Sequence, residues 1–266
     1  MTPIDFSHIP VADNHCHGIY RTQEPEDVLA WRRLFTESSD PGMRGEHVAA
    51  TLFYRRLIRE MAAYFGCNPT EEAVLAARRQ FDERSLVARL LQAAHIEVLF
   101  LDKGYPLQEL VLSDAELSSA AGCRIAPMLR VELVMQRLVA GHKKLSAVVD
   151  ALRSELQDVR GHGYVALKSI IAYRGGLNIR RWNNADVEAA FIEARRESEE
   201  KGTVQLRLTH KPLLDTLLHV TFEEAARQEL PVQFHVGYGD TDADMLLANP
   251  LHLRAVLEER KYRAMP

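Results

Sequence analysis

The chain has 266 residues, of which 47% are apolar and 26% are charged, and its formal net charge is -4. This length and composition exclude global disorder and are sufficient to bury a sizeable core. The acidic balance excludes a basic footprint for nucleic acid or for a membrane surface, and no stretch is apolar enough to span a bilayer.

Short apolar runs alternate with longer helical stretches, which predicts an α/β fold with parallel strands. The five predicted strands, in chain order, are residues 9–14, 96–101, 125–129, 164–171 and 232–236. The predicted helices are residues 24–34, 46–65, one that begins near Thr70, 84–94, 133–157, 186–201, 212–230 and 251–260. Because no strand is predicted between the first two strands, we interpret residues 19–94 as a helical insertion within the domain.

The alternation of strands and helices stops after five strands, whereas a (β/α)8 barrel needs eight. We therefore expect residues 1–266 to form one incomplete TIM-barrel-like domain, either a fragment or a truncated product. A barrel completed by a second chain is the alternative. A five-stranded arc would leave open edges and an exposed apolar interior.

The cysteines and the N-terminus indicate the cellular compartment. Cys16, Cys67 and Cys123 are too few, and odd in number, for a disulfide framework, so we expect reduced thiols in the cytoplasm. The N-terminus also lacks the basic and apolar regions of a secretory signal. Cys16 is discounted as a nucleophile because strand alternation points it away from the adjacent histidines.

The segment DNHCH, residues 13–17, is the strongest local signal for chemistry. On an extended strand, side chains two apart point the same way, so Asp13, His15 and His17 would share one side. Two imidazoles at one strand end provide half of a zinc-type site. The alternative is a polar turn that contains two histidines by chance.

Lys168 and His235 belong to the fourth and fifth predicted strands. Lys168 lies among apolar neighbours, where an unpaired ammonium is costly to bury. It is a salt-bridged or edge lysine, a catalytic cation that neutralises bound anions, or, if carbamylated, a ligand that bridges two metal ions. His235 is either a satisfied core residue or a third metal ligand at the same sheet edge as His15 and His17.

Two arginines follow strands and are candidates for binding a substrate. Arg130 follows the third strand and Arg174 the fourth, and a planar guanidinium can receive a carboxylate. Surface or structural pairing is the alternative for both. The other polar candidates are interpreted as turn, cap or structural residues: Asp240, Asp242, Asp244, His210 and His219.

Three segments, VADNHCHG, LKSIIAYRGGL and PVQFHVGYGDTDADMLLANPLHLR, together resemble the amidohydrolase superfamily, in particular its amidohydrolase-2 branch. The chain is most similar to the amidohydrolase-like domain fused to glutamine-synthetase-like domains in fungi and plants, and to its stand-alone bacterial relatives. RLFTES fits the same subgroup.

The resemblance implies a (β/α) barrel with a divalent metal, often zinc, at its mouth. It implies that His15, His17 and His235 are metal ligands. Lys168 falls where many members carry a lysine that is carbamylated in the binuclear type. The family also has a histidine after strand six and an aspartate after strand eight. This sequence ends before both, and His252 replaces neither.

The leading hypothesis is a metal-dependent hydrolase that uses a metal-activated water on a C–N or ester bond of a small substrate. The two arginines suggest that this substrate is anionic. The alternatives are a non-oxidative decarboxylase or isomerase on the same scaffold, and a non-catalytic binding or regulatory module. No nucleic-acid or membrane partner is expected, and a homo-oligomer remains open.

Overall fold

The computed structural model describes residues 9–21, 25, 27–200, 206–240 and 242–266. The chain divides into two compact units, each described here by itself. The first unit comprises Met1–Asn14, Gly18–Leu99 and Pro106–Ile125, and the second comprises His15–His17, Phe100–Tyr105 and Ala126–Pro266. Within the described residues, no helix is long and apolar enough to cross a membrane.

Five strands form one sheet in the order of the sequence. They are β1 (Val11–His17), β2 (Ile96–Asp102), β3 (Arg124–Arg130), β4 (Ala166–Ser169) and β5 (Val232–Phe234). Strands β3, β4 and β5 pair in parallel, and the register aligns Arg130 with Lys168 and Lys168 with Gln233. This sequential order with helical connections confirms the predicted α/β class, and it is the order found in (β/α) barrels.

The first unit holds six α-helices among its described residues. They are α1 (Val28–Arg33), α2 (Val48–Ala50), α3 (Leu52–Phe65), α4 (Glu71–Arg78), α5 (Glu83–Ala93) and α6 (Asp114–Ala121). Their ends follow capping rules: Thr51 accepts the N–H of Tyr54, and Thr70 accepts the N–H of Ala73 as its sequence position predicts. Helices α1 to α4 enclose a core of their own, formed by Trp31, Val48, Tyr54, Ile58, Ala62, Val74 and Leu75.

The second unit contains the larger core. Its α-helices are α7 (Val131–Gly141), α8 (Leu145–Glu155), α9 (Asn184–Glu200), α10 (Lys211–Arg227) and α11 (Arg254–Glu258). Helix α9 packs against α7 and α10 and buries Val187, Phe191 and Ala194, a helical spacing that produces one apolar stripe. Short 3₁₀ turns follow β4 at Ile171–Tyr173 and precede α11 at Pro250–Leu253.

Several predicted boundaries were wrong. The single helix predicted over residues 133–157 is two helices, because His142 has extended backbone and ends α7. Strand β4 covers only four of the eight predicted residues, since the chain turns into a 3₁₀ turn after Ser169. Helix α6 was missed, although Ser113 and Glu116 form a capping box that marks its start. The assignment of residues 19–94 to an insertion stays a prediction.

Candidate functional site

Two histidines lie at the carboxyl end of β1, which runs to His17, three residues beyond its predicted end. The ring centroids of His15 and His17 are 5.9 Å apart, with the ring planes at 75°. The intervening Cys16 directs its thiol to the carbonyl of Phe100, at 3.3 Å. Because side chains alternate between the two faces of a strand, the thiol and the imidazoles lie on opposite faces.

His235 follows β5 directly, and the structure brings its ring to His15. Their centroids are 5.4 Å apart, with the ring planes at 88°. Nε2 of His235 lies 2.9 Å from the phenol oxygen of Tyr173 and 2.9 Å from the carbonyl oxygen of Tyr238. An N–H at this nitrogen would donate to the Tyr238 carbonyl and leave the lone pair on Nδ1, which lies 3.5 Å from the phenol oxygen of Tyr173.

Lys168 lies in the middle of β4 and is only 1% exposed. Its ammonium donates to the side-chain oxygen of Gln233 at 2.6 Å, across the β4–β5 pair. Burial lowers the pKa of Lys168, and the nearby carboxylate of Asp102 opposes this shift. Gln233 was not singled out in the sequence, but its position two residues before His235 puts both side chains on one face of the strand.

Asp102, the last residue of β2, is a buried acid that sequence reasoning missed. Its carboxylate accepts from Nη2 of Arg130 at 2.6 Å and from the N–H of Gly104 at 2.9 Å. Its Oδ2 lies 3.9 Å from Nδ1 of His17. A Cβ on Gly104 would approach Nε of Arg130 to 2.3 Å, so glycine allows this loop to pack on the guanidinium. The available signal was an acid that directly follows an apolar strand.

Glu132 is a second buried acid that sequence reasoning missed. It is fully buried, and its Oε1 accepts from the hydroxyl of Ser169 at 2.6 Å and from the N–H of Ile170 at 3.0 Å. Its other oxygen, Oε2, is buried without a hydrogen-bond partner in the described part of the chain. Burial raises the pKa of Glu132, so its carboxyl keeps a proton to higher pH than usual.

The two candidate substrate arginines differ in their surroundings. Arg130 is occupied by Asp102. Arg174 is half-buried, and its Nε and Nη1 are shielded from water without a hydrogen-bond partner among the described residues. Burial and the neighbouring Arg207 lower the pKa of Arg174.

Four of the residues interpreted as structural make local side-chain contacts: Asp242, Asp244, His210 and His219. Asp244 accepts the N–H of Leu246, and Asp242 pairs with Arg207. The remaining pairs are His210 with Glu197, His219 with Tyr262, and His252 with the carbonyl of Leu246.

The donor chemistry of the histidine cluster fits a divalent metal. Two imidazoles that bind one ion tetrahedrally, with bonds of about 2.0–2.1 Å, have ring centroids about 5 Å apart, close to the spacings seen here. Burial lowers the pKa of His15 and of His17, which keeps both rings in the neutral form that a metal requires. Nδ1 of His17 is buried and lacks a hydrogen-bond partner within the described residues.

The donors do not form a finished coordination shell. Among the described residues, no group of three or more histidine, cysteine, aspartate or glutamate side chains converges closely enough to hold an ion. The rings lie at one edge of the sheet, and their nitrogen atoms would have to move closer together to bind an ion.

Comparison with known proteins gives two similar chains. No family model matches this chain. The protein FluG of Emericella nidulans is 24% identical over a gapped alignment of 281 positions, which covers 94% of this chain and 32% of FluG. The crystal structure of a candidate metal-dependent hydrolase from Lactobacillus casei has a TM-score of 0.79 and 26% identity, over 94% of this chain and 64% of that chain.

This chain thus spans about a third of FluG and less than two thirds of the solved chain. Nearly all of it has the scaffold of that metal-dependent-hydrolase-like structure.

Proposed function

We propose that the cluster of His15, His17 and His235 binds a divalent metal, zinc in the first instance, in a cytoplasmic hydrolase of the amidohydrolase-2 branch. The observation that carries this proposal is the contact of the His15 ring with the rings of His17, on the same strand, and of His235, at the end of β5. The likeness to a candidate metal-dependent hydrolase supports it independently.

The protein groups have separate roles in this proposal. When bound, a divalent ion would lower the pKa of a water and polarise a substrate carbonyl. His235 would offer Nδ1, because its Nε2 contacts the Tyr238 carbonyl. Asp102, 3.9 Å from His17, is the carboxylate that would orient that ring.

Lys168 is the catalytic residue of the proposal. As an ammonium it would neutralise negative charge that develops on the substrate. As a carbamate it would instead be an additional metal ligand. Either role fits its position in register with Arg130 and Gln233 at the sheet edge. The reaction class is hydrolysis of a C–N or ester bond in a small molecule, with Arg130 and Arg174 as substrate-binding candidates.

A non-catalytic binding module is the second candidate. It is favoured by the lack of a converged three-ligand group in the described residues, and by the internal neutralisation of Arg130 by Asp102. In such a module the polar cluster would bind a small molecule without transforming it.

Metal binding separates the two candidates. We expect the purified protein to contain about one or two divalent ions per chain, and added zinc to raise its melting temperature. His15→Ala and His17→Ala should each reduce the metal content, measured by plasma mass spectrometry, and remove the zinc-dependent shift. His162→Ala, at an exposed position, is the matched control and should retain both.

The binding-module candidate would prevail if the protein were isolated without metal and zinc left its melting temperature unchanged. The same conclusion would follow if His162→Ala reduced the metal content as much as the two cluster variants.

A further inference from the structure

Among the described residues of the proposed site, no acid forms a hydrogen bond with the guanidinium of Arg174. Arg174 follows Tyr173, whose phenol oxygen lies 2.9 Å from Nε2 of His235, and the charges of Arg130 and Glu132 in the same unit act on its guanidinium. Nε and Nη1 of Arg174 are buried, and neither has a hydrogen-bond partner in the described part of the chain.

The backbone around Arg174 is held rigidly. The N–H groups of Arg174, Gly175 and Gly176 all donate to the carbonyl of Ile171, at 2.9, 3.0 and 3.0 Å. Gly176 has a φ of 80°, a left-handed conformation that favours glycine. The turn therefore presents the side chain of Arg174 from a fixed point, as a preorganised binding group requires.

Three neighbouring cations are matched by acids. The three ion pairs around the turn are Arg130 with Asp102, Arg207 with Asp242, and Lys211 with Asp215. Arg207 also donates to the carbonyl of Tyr173, and Lys211 to that of Gly176, so positive charge borders the turn on both sides.

In the described part of the chain, Glu132 does not pair with the guanidinium of Arg174. It is one of the acids whose charge acts on Arg174, but its Oε1 is bonded to Ser169 and to the backbone of Ile170, and its Oε2 has no partner among the described residues. The charge of Arg174 is thus left without a hydrogen-bonded acid in the described site.

We infer that the substrate carries a carboxylate and that Arg174 is its receptor. This inference rests on the proposed function of the same site and specifies its substrate class. A guanidinium donates two parallel hydrogen bonds to a carboxylate through Nη2 together with either Nε or Nη1, so each of the two buried nitrogens of Arg174 belongs to one such pair. A bound carboxylate would place a negative charge beside this guanidinium. Arg130, whose guanidinium is occupied by Asp102, is a positioning residue in this arrangement.

The test compares compounds that differ only in the carboxylate. Calorimetric titration of the full chain with N-acetylglycine and N-acetylglycinamide, and with succinamate and succinamide, measures the preference directly. We expect the wild-type protein to bind each acid about tenfold to a hundredfold more tightly than its uncharged amide. Inorganic phosphate should bind no better than the amides.

Arg174→Gln should abolish the preference for the acids and leave affinity for the amides unchanged. Arg254→Gln removes the same charge at an exposed position and should behave as wild type. Arg174→Lys, which keeps the charge but loses the planar fork, should retain part of the preference. The comparison of acid with amide on the wild-type protein needs no variant, so it holds even if Arg174→Gln fails to fold.

Titrations of metal-free and zinc-loaded protein separate this inference from the proposed function. Preference for the acids without any zinc binding would contradict the metal site and leave the carboxylate receptor standing. Zinc binding with equal affinity for acids and amides would overturn the receptor alone. Tighter binding of phosphate than of both acids, or an unchanged preference in Arg174→Gln, would also overturn it.

Discussion

Two buried polar clusters, one in each unit, differ in how completely their groups are paired. In the first unit, Arg32 donates to both oxygens of Glu71 at 2.7 and 2.6 Å, and the phenol of Tyr54 donates to the same carboxylate at 2.6 Å. Arg32 also donates to the carbonyl of Gly45. Hydrogen bonds from Arg32 lower the pKa of Glu71, so the carboxylate is charged and fully used.

At the sheet edge of the second unit, three of the described titratable side chains have buried nitrogen or oxygen atoms without hydrogen-bond partners. Within the described residues these are the Oε2 of Glu132 and the Nε and Nη1 of Arg174, beside the unpaired Nδ1 of His17. Buried polar groups are normally paired, because an unpaired one loses its hydration without compensation. The difference agrees with a stabilising role for the first cluster and with the ligand-binding role proposed for the second.

A buried neutral atom without a hydrogen-bond partner does not by itself indicate a ligand site. Trp31, Gln136, His210 and His219 each have a buried side-chain atom without a partner in the described chain. Their cost is that of a neutral group, about 1–3 kcal/mol, whereas an unpaired charge costs more. The charge of Arg174, in addition to its missing partners, therefore distinguishes the sheet-edge cluster.

Removing the charge of Glu71 should produce the largest loss of stability. Glu71→Gln is expected to lower the free energy of unfolding by about 2–3 kcal/mol, because Arg32 loses its ionic partner. This is less than for a fully buried pair, since both side chains remain 18% exposed. Urea denaturation measures the change, and Glu72→Gln, the exposed neighbour, should stay within about 0.5 kcal/mol.

An equal effect of the two glutamate substitutions would contradict a stabilising role for the Arg32 cluster. Metal content and carboxylate preference should be unchanged in both variants, which separates stability from binding.

Removing the buried charge of Lys168 should not lower the free energy of unfolding. Lys168→Met is expected to leave the free energy of unfolding unchanged or to raise it by up to about 2 kcal/mol, because an apolar side chain replaces a desolvated ammonium. In the described part of the chain, that ammonium donates to the neutral amide of Gln233. Lys144→Met, at an exposed position, is the control.

Urea denaturation of Lys168→Met and of its control, Lys144→Met, measures this change. A loss of 2 kcal/mol or more in Lys168→Met, about the size expected for Glu71→Gln, would show that Lys168 stabilises the fold and would weaken the contrast between the two clusters.

Local sequence patterns predicted the strand order and most helices, because periodicity and capping act over a few residues. The Thr70 cap and the apolar stripe of α9 are examples. The break at His142 was not predictable, since residues 133–157 keep a helical pattern through it. The end of β1 was misplaced because polar residues at its carboxyl end read as a turn.

The closeness of His15, His17 and His235 was predicted because residue type and strand position coincide there, and their role as ligands stays a prediction. Their juxtaposition follows from parallel strands that end at one edge. Asp102 and Gln233 were missed because their significance lies in partners on other strands, Arg130 and Lys168. A single sequence carries no signal for such pairing across the sheet.

The smallest expected effect tests a neutral unpaired group away from the candidate site. His219 contacts the Tyr262 hydroxyl at 2.7 Å through Nδ1, packs on Phe222, and has Arg181, Lys261 and Asp215 as charged neighbours. Burial lowers its pKa, so below its ordinary value of 6.5 the unfolded chain binds a proton that the folded chain resists.

The contribution of His219 to stability is therefore complete above pH 6.5 and declines as the pH falls towards its lowered pKa in the folded state. His219→Gln should reduce the loss of unfolding free energy between about pH 7.5 and 5.5, whereas His162→Gln, at an exposed site, should not. The wild-type slope also contains His15 and His17, whose pKa values are lowered too, so the difference between variant and wild type is the measured quantity. An identical slope in His219→Gln would mean that this ring titrates normally, and only the sheet-edge groups would then remain as buried sites that resist protonation.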